Sequence, residues 1–130
     1  MNASLKSPNL NLSGKSGISV SGYYTYALEA GYDYAYLEWS TDGGTTWSPT
    51  YLDRFNGVVQ SWQHSAVNAA MLDNQANVAL RVRVTSDSGV VADGIYVDDF
   101  AVNYTPIVCE PPTPTAVQLS SVSTATPALP

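Results

Sequence analysis

A chain of 130 residues fits one domain of ordinary size, with enough surface to bury a single core. Only 12% of its residues are charged, the net charge is −6, and Lys6, Lys15, Arg54, Arg81 and Arg83 are its only cations. So few cations are not expected to assemble the basic patch that phosphate recognition needs, which argues against nucleic acid and anionic membrane surfaces as partners.

Aromatic residues make up 11% of the chain, and nine of them are Tyr. With Thr, Ser, Val, Gly and Asn also abundant, the composition favours pleated strands and turns over helices. No apolar run is long enough to span a bilayer as a helix, and the N-terminus lacks the charged-then-apolar layout of a signal peptide. Met1 reads as the start of a piece cut from a longer protein. The single cysteine, Cys109, cannot form an intrachain disulfide and lies at the edge of a proline-rich stretch.

In chain order, residues 3–12 alternate loosely around Leu5, Leu10 and Leu12, with Pro8 interrupting, which suits a broken edge strand. Residues 13–17 are a turn cluster. Over 18–28, Ile18, Val20, Gly22, Tyr24, Tyr26 and Leu28 share one face, a period of two that predicts a half-buried strand. Gly22, in its middle, predicts a bulge or a close backbone approach. A second strand over 34–40 turns Ala35, Leu37 and Trp39 inward, against Tyr34, Tyr36 and Glu38.

That strand runs into Asp42-Gly43-Gly44, where residues tolerant of positive φ predict a tight hairpin turn of two or three residues. Residues 49–57 read as irregular and 58–62 as a short strand. Residues 66–75 hold the one plausible helical turn, in an otherwise irregular connection. Over 77–85, Val78, Leu80, Val82 and Val84 point inward. Ala79, Arg81, Arg83 and Thr85 point outward, where the arginines guard an edge or meet acids across the sheet. Residues 86–94 form a loop and 95–102 the last strand, which carries Asp98-Asp99 in its interior. The proline-rich 105–130 reads as an extended linker, leaving 1–104 as the folded domain. About seven short strands and almost no helix predict an all-β antiparallel sandwich of jelly-roll or Greek-key wiring.

Ser40, Asp42, Gly44, Thr46 and Trp47 together resemble the Asp-box, a hairpin motif of secreted β proteins. In such a turn a carboxylate accepts backbone N–H bonds, glycines allow the bend and an indole covers it. Ser40, Asp42, Gly43, Gly44 and Trp47 are therefore assigned to folding, and Asp42→Ala is expected to lower stability. With the 80–87 stretch Leu-Arg-Val-Arg-Val-Thr-Ser-Asp and the 94–100 stretch Gly-Ile-Tyr-Val-Asp-Asp-Phe, residues 5–103 resemble the MAM-like jelly-roll domains of immune inhibitor A-type secreted bacterial metallopeptidases and related exoproteins. The family form usually has an aromatic where Ile95 stands. The resemblance implies a secreted or cell-surface accessory module attached to a catalytic or adhesive neighbour. No zinc-binding His-Glu-x-x-His is present, so peptidase activity does not carry over.

Related sandwiches often hold a structural calcium near clustered acids, and the resemblance makes Glu29, Asp33, Asp98 and Asp99 the candidates here. Calcium takes six to eight oxygen ligands, and a buried carboxylate needs either such an ion, an arginine or backbone donors. Adjacent strand residues point to opposite faces, so only one of Asp98 and Asp99 is expected to turn inward. The ordinary alternative for these acids is a salt bridge or a turn cap. A glycosidase pair would need a cleft that nothing in the sequence indicates. His64, the only histidine, reads as a loop residue with no nucleophile to serve. Tyr23, Tyr32, Tyr34, Tyr36 and Trp62 are candidates for stacking on sugar rings, which makes a carbohydrate-binding module the alternative to a non-enzymatic accessory domain.

Overall fold

The stretches of period two do become strands. The computed structural model describes residues 2–106, and the linker reading, with Cys109, lies outside them except for Thr105 and Pro106. Seven strands form: β1 Asn2–Lys6, β2 Ser16–Ala27, β3 Tyr34–Ser40, β4 Tyr51–Phe55, β5 Val58–Asn68, β6 Ala79–Thr85 and β7 Gly94–Thr105. They make two antiparallel sheets, ordered β1-β6-β3-β4 and β5-β2-β7. The chain is an all-β sandwich. Only β3 to β4 stays within a sheet, and every other connection crosses to the opposite one, which is jelly-roll wiring. No helix among the described residues is long and apolar enough to cross a membrane.

Two apolar clusters fill the space between the sheets. Ile18, Val20, Leu37, Leu72, Val78 and Leu80 centre the larger. Tyr24, Leu28, Ala35 and Phe55 form the smaller. Each fully buried aliphatic side chain contributes roughly 1.5–3 kcal/mol. The Tyr24 ring lies 4.5 Å from that of Phe55. Burial, helped by the nearby charge of Asp53, pushes its phenol up to about 12.

Several expectations need correction. Residues 51–55 are a strand, because Leu52 and Phe55 reach the core while Arg54 faces outward opposite Tyr36. The strand expected over 58–62 continues to Asn68, paired with β2 across an irregularity between Tyr24 and Tyr26. The single helical turn expected within 66–75 is present, as the 3₁₀ turn Ala70–Leu72. Ala79, expected outward, is fully buried. Trp39 is only half-buried, packed against the larger cluster. The arginines of β6 guard no edge, since β6 lies between β1 and β3.

Gly22 and the Asp98-Asp99 pair explain each other. Ser21 pairs with Ala101 and Tyr23 with Asp98, so Gly22 alone opposes both Asp99 and Phe100. Asp99 takes φ +48 in this bulge, a conformation that Asp tolerates better than most residues. Both aspartates are exposed, and neither enters the core as expected. A Cβ on Gly22 would lie 3.0 Å from the Tyr24 hydroxyl, so the close approach is present as well.

Candidate functional site

The turn from β2 to β3 is built to present acids. Leu28 buries its side chain and donates its N–H to the Gly57 carbonyl at 2.8 Å, which fixes the exit from β2. Tyr32 and Asp33 then donate their N–H groups to the Glu29 carbonyl at 3.1 and 2.9 Å. The Asn56 amide donates to the Glu29 and Asp33 carbonyls at 3.3 and 2.7 Å, and its oxygen accepts the Gly31 N–H at 3.3 Å. With its backbone stapled in this way, Asp33 turns its carboxylate inward to only 2% exposure.

The loop after β6 closes over it. Asp87 donates its N–H to Asp33 Oδ1 at 3.3 Å, and Glu29 donates to Oδ2 at 3.4 Å. Glu29 Oε2 accepts the Val90 N–H at 3.3 Å, and Asp87 Oδ1 accepts that of Gly89 at 2.7 Å. One carboxylate oxygen from each of Glu29, Asp33 and Asp87 lies within 4.8 Å of the others. Among the described residues the salt bridges all fall on a different acid, Glu38. Three hard oxygen donors on two loops, with backbone donors covering only part of their lone pairs, make a group that could hold a metal ion.

Two of the four acids expected to bind a metal, Glu29 and Asp33, are brought together. Asp98 and Asp99 are not: Asp98 pairs with Tyr23, six residues before Glu29 in the chain, and neither belongs to the acid group. Asp87 takes their place and was missed. Its signal is the pairing of Tyr34 with Thr85, which carries the residue just before β3 to the residues just after β6. That relation appears only once the partner strands are known.

The outer face of the four-stranded sheet collects the opposite charge. Pairing aligns Lys6, Arg81, Glu38 and Tyr51 in one row and Ser4, Arg83, Tyr36 and Arg54 in the next. Four of the five cations therefore share one face, with Glu38 set between Arg81 and Arg83. Glu38, only 7% exposed, binds Arg81 Nε at 2.6 Å and Arg83 Nη2 at 2.6 Å. Burial by itself pushes the Glu38 carboxyl up, but hydrogen bonds from Arg83 and Arg81, together with their charges, outweigh it and hold the group below the usual glutamate range.

The proposed sugar-stacking residues do not form one platform among the described residues. Tyr34 and Tyr36 lie on this face, 6.0 Å apart, with Arg54 and Arg83 over their rings. Trp62 and Tyr23 belong to the other sheet, where Tyr23 packs against His64 at 4.9 Å, and Tyr32 sits exposed on the acid-bearing turn. The guanidinium groups occupy ring faces that a pyranose would need.

At the far end of β3, Ser40 Oγ donates to Asp42 Oδ1 at 2.6 Å and accepts the Gly44 N–H at 2.9 Å. The Asp42 carboxylate accepts the Thr46 N–H at 2.9 Å and its hydroxyl at 2.5 Å. Bonds from Ser40 and Thr46 hold Asp42 well below the usual carboxylate range. Gly43 and Gly44 both take positive φ, and the Trp47 ring lies 3.1 Å from where a Gly44 Cβ would stand. The opening of the turn is as tight as expected, but the connection runs on to Tyr51. Trp47 also carries the Arg81 guanidinium, 4.1 Å from its ring centre, so the turn and the charged face support each other. No protein-family model matches the chain, and no curated protein is significantly similar to it in sequence.

Proposed function

We propose that the chain is a non-catalytic accessory module, a MAM-like sandwich of a secreted multidomain bacterial peptidase or adhesin, with one end fixed by calcium at Glu29, Asp33 and Asp87. The observation that carries the calcium part is Asp33, a carboxylate almost wholly removed from water between two further carboxylates and outside every salt bridge of the described residues. When bound, the ion neutralises this group and ties the turn after β2 to the loop after β6. The accessory role and the extracellular setting rest on the sequence resemblance and on the proline-rich residues after the domain.

Thermal melting in chelator and in millimolar calcium tests the metal. Stabilisation of about 3 kcal/mol at a hundredfold excess over Kd raises the Tm of a domain this size by on the order of 10 °C. Magnesium, which demands tighter octahedral geometry, produces a smaller rise. Identical melts in chelator and calcium would remove the ion from the proposal.

A further inference from the structure

The charge of this chain is unevenly spread. Lys6, Arg54, Arg81 and Arg83 stand on the outer face of the four-stranded sheet with Glu38 among them, a local charge of +3 on a chain that carries −6 overall. Asp53, the acid of β4, turns the other way and accepts the Ser65 hydroxyl from β5 of the opposite sheet. Lys6 and Arg54 belong to the two outer strands, β1 and β4, so the cations extend over three strand spacings, about 14 Å. That reach suits an extended polyanion better than a single small ion.

The donors on this face are only partly used. Glu38 takes Arg81 Nε and, from Arg83, Nε and Nη2. Both terminal nitrogens of Arg81 and Nη1 of Arg83 have no acceptor among the described residues, and neither Arg54 nor Lys6 enters a salt bridge of those residues. The guanidinium groups are nevertheless held in place by rings. Arg81 lies 4.1 Å from the Trp47 ring centre, Arg83 5.1 Å from that of Tyr36, and Arg54 5.3 and 5.8 Å from those of Tyr34 and Tyr51. Groups positioned before a ligand arrives lose little freedom on binding it.

We propose that this face binds an acidic polysaccharide, whose carboxylate or sulfate groups take the unused donors of Arg54, Arg81, Arg83 and Lys6 and whose hydroxyls meet the phenols of Tyr34, Tyr36 and Tyr51. A planar guanidinium fork matches either anion. Neutral sugars and nucleobases would need the ring faces that these guanidinium groups cover. An acidic peptide gains main-chain bonds only at an open strand edge, and β6 and β3 are each paired on both sides. The site uses none of the calcium-cluster residues, and it extends the accessory role by naming a class of ligand.

The test is calorimetric titration of the full chain with polygalacturonate, a carboxylate polymer, and with dextran sulfate. It is run at low salt in chelator, which keeps the acid cluster free of metal and separates this proposal from the calcium reading. At least one polyanion is expected to bind, with affinity falling as salt rises, and the preference between them identifies the anion. Fully methyl-esterified polygalacturonate, which keeps the sugar backbone without its charge, is expected not to bind. Arg54→Gln, at an exposed position outside the salt bridges, should weaken binding by about tenfold, the effect of losing a charge-assisted hydrogen bond. Melting of the variant checks that the fold is intact. Lys15→Gln removes the same charge from the turn before β2 and should change affinity by less than about twofold. Failure of both polyanions to bind, equal binding of the methyl ester, equal weakening by the two variants, or equal binding of poly-glutamate or oligothymidylate would overturn the proposal.

Discussion

Asp33 and Glu38 are both carboxylates withdrawn from water, one just ahead of β3 and the other inside it, and the protein treats them in opposite ways. Glu38 is answered by two arginines reaching from β6, which hold both of its oxygens. Asp33 is answered by two long backbone bonds and faces two more carboxylates. A buried carboxylate on a strand can take its partner from the neighbouring strand, where register fixes the geometry. One on a turn depends on whatever the adjoining loop supplies, and here that loop supplies Asp87. The first arrangement is complete within the chain, whereas the second has the composition of an ion site.

The largest effect is expected from breaking the complete one. Glu38→Gln leaves two half-buried guanidinium groups without their counter-charge and should lower stability by about 2–3 kcal/mol, with the partial exposure of the arginines keeping it below a fully buried pair. The loss should be the same in chelator and in calcium, as urea unfolding would show. Because the Glu38 carboxyl titrates below its usual 4.5, its contribution is fully present above that value and is lost as pH falls through the depressed one. The variant's stability should therefore fall less steeply on acidification.

Asp33→Asn sharpens the contrast by changing sign. Removing one of three crowded negative charges should leave the chain at least as stable as the native in chelator, by about 0–1 kcal/mol. The same change should cut the calcium-induced rise in Tm by more than half. A variant that melts well below the native in chelator would mean that Asp33 serves the fold through its backbone bonds alone.

This contrast also marks what could be read before the structure. Alternation identified β2, β3, β6 and β7 and the sandwich, because a face that must be buried imposes its period directly on the sequence. It missed β4, where Asp53 and Arg54 interrupt the apolar pattern although Leu52 and Phe55 reach the core. Glu29 and Asp33 were recognisable as candidates from the family resemblance, and the turn after β2 brings them together. Asp87 was not, since nothing local links it to them, and Asp98 was chosen in its place from family resemblance. Ala79 was misplaced because a small side chain on an outward position can still be covered by what surrounds it.

The smallest effect belongs to the third acid region, the turn at the other end of β3. Asp42 resembles Glu38 in having its donors supplied by the chain, but it is exposed, so water and salt compete for the same bonds. Its carboxyl is held well below the usual 3.8 by bonds from Ser40 and Thr46. The stability it adds is present above 3.8 and disappears as pH falls through the depressed value. Asp42→Asn keeps an oxygen for Thr46 and removes the titration. Its Tm should therefore sit slightly below the native at neutral pH and converge on it under acid conditions, while calcium leaves the difference unchanged. A gap that stayed constant down the acid range would show that the turn depends on the shape of the Asp42 side chain and not on its charge.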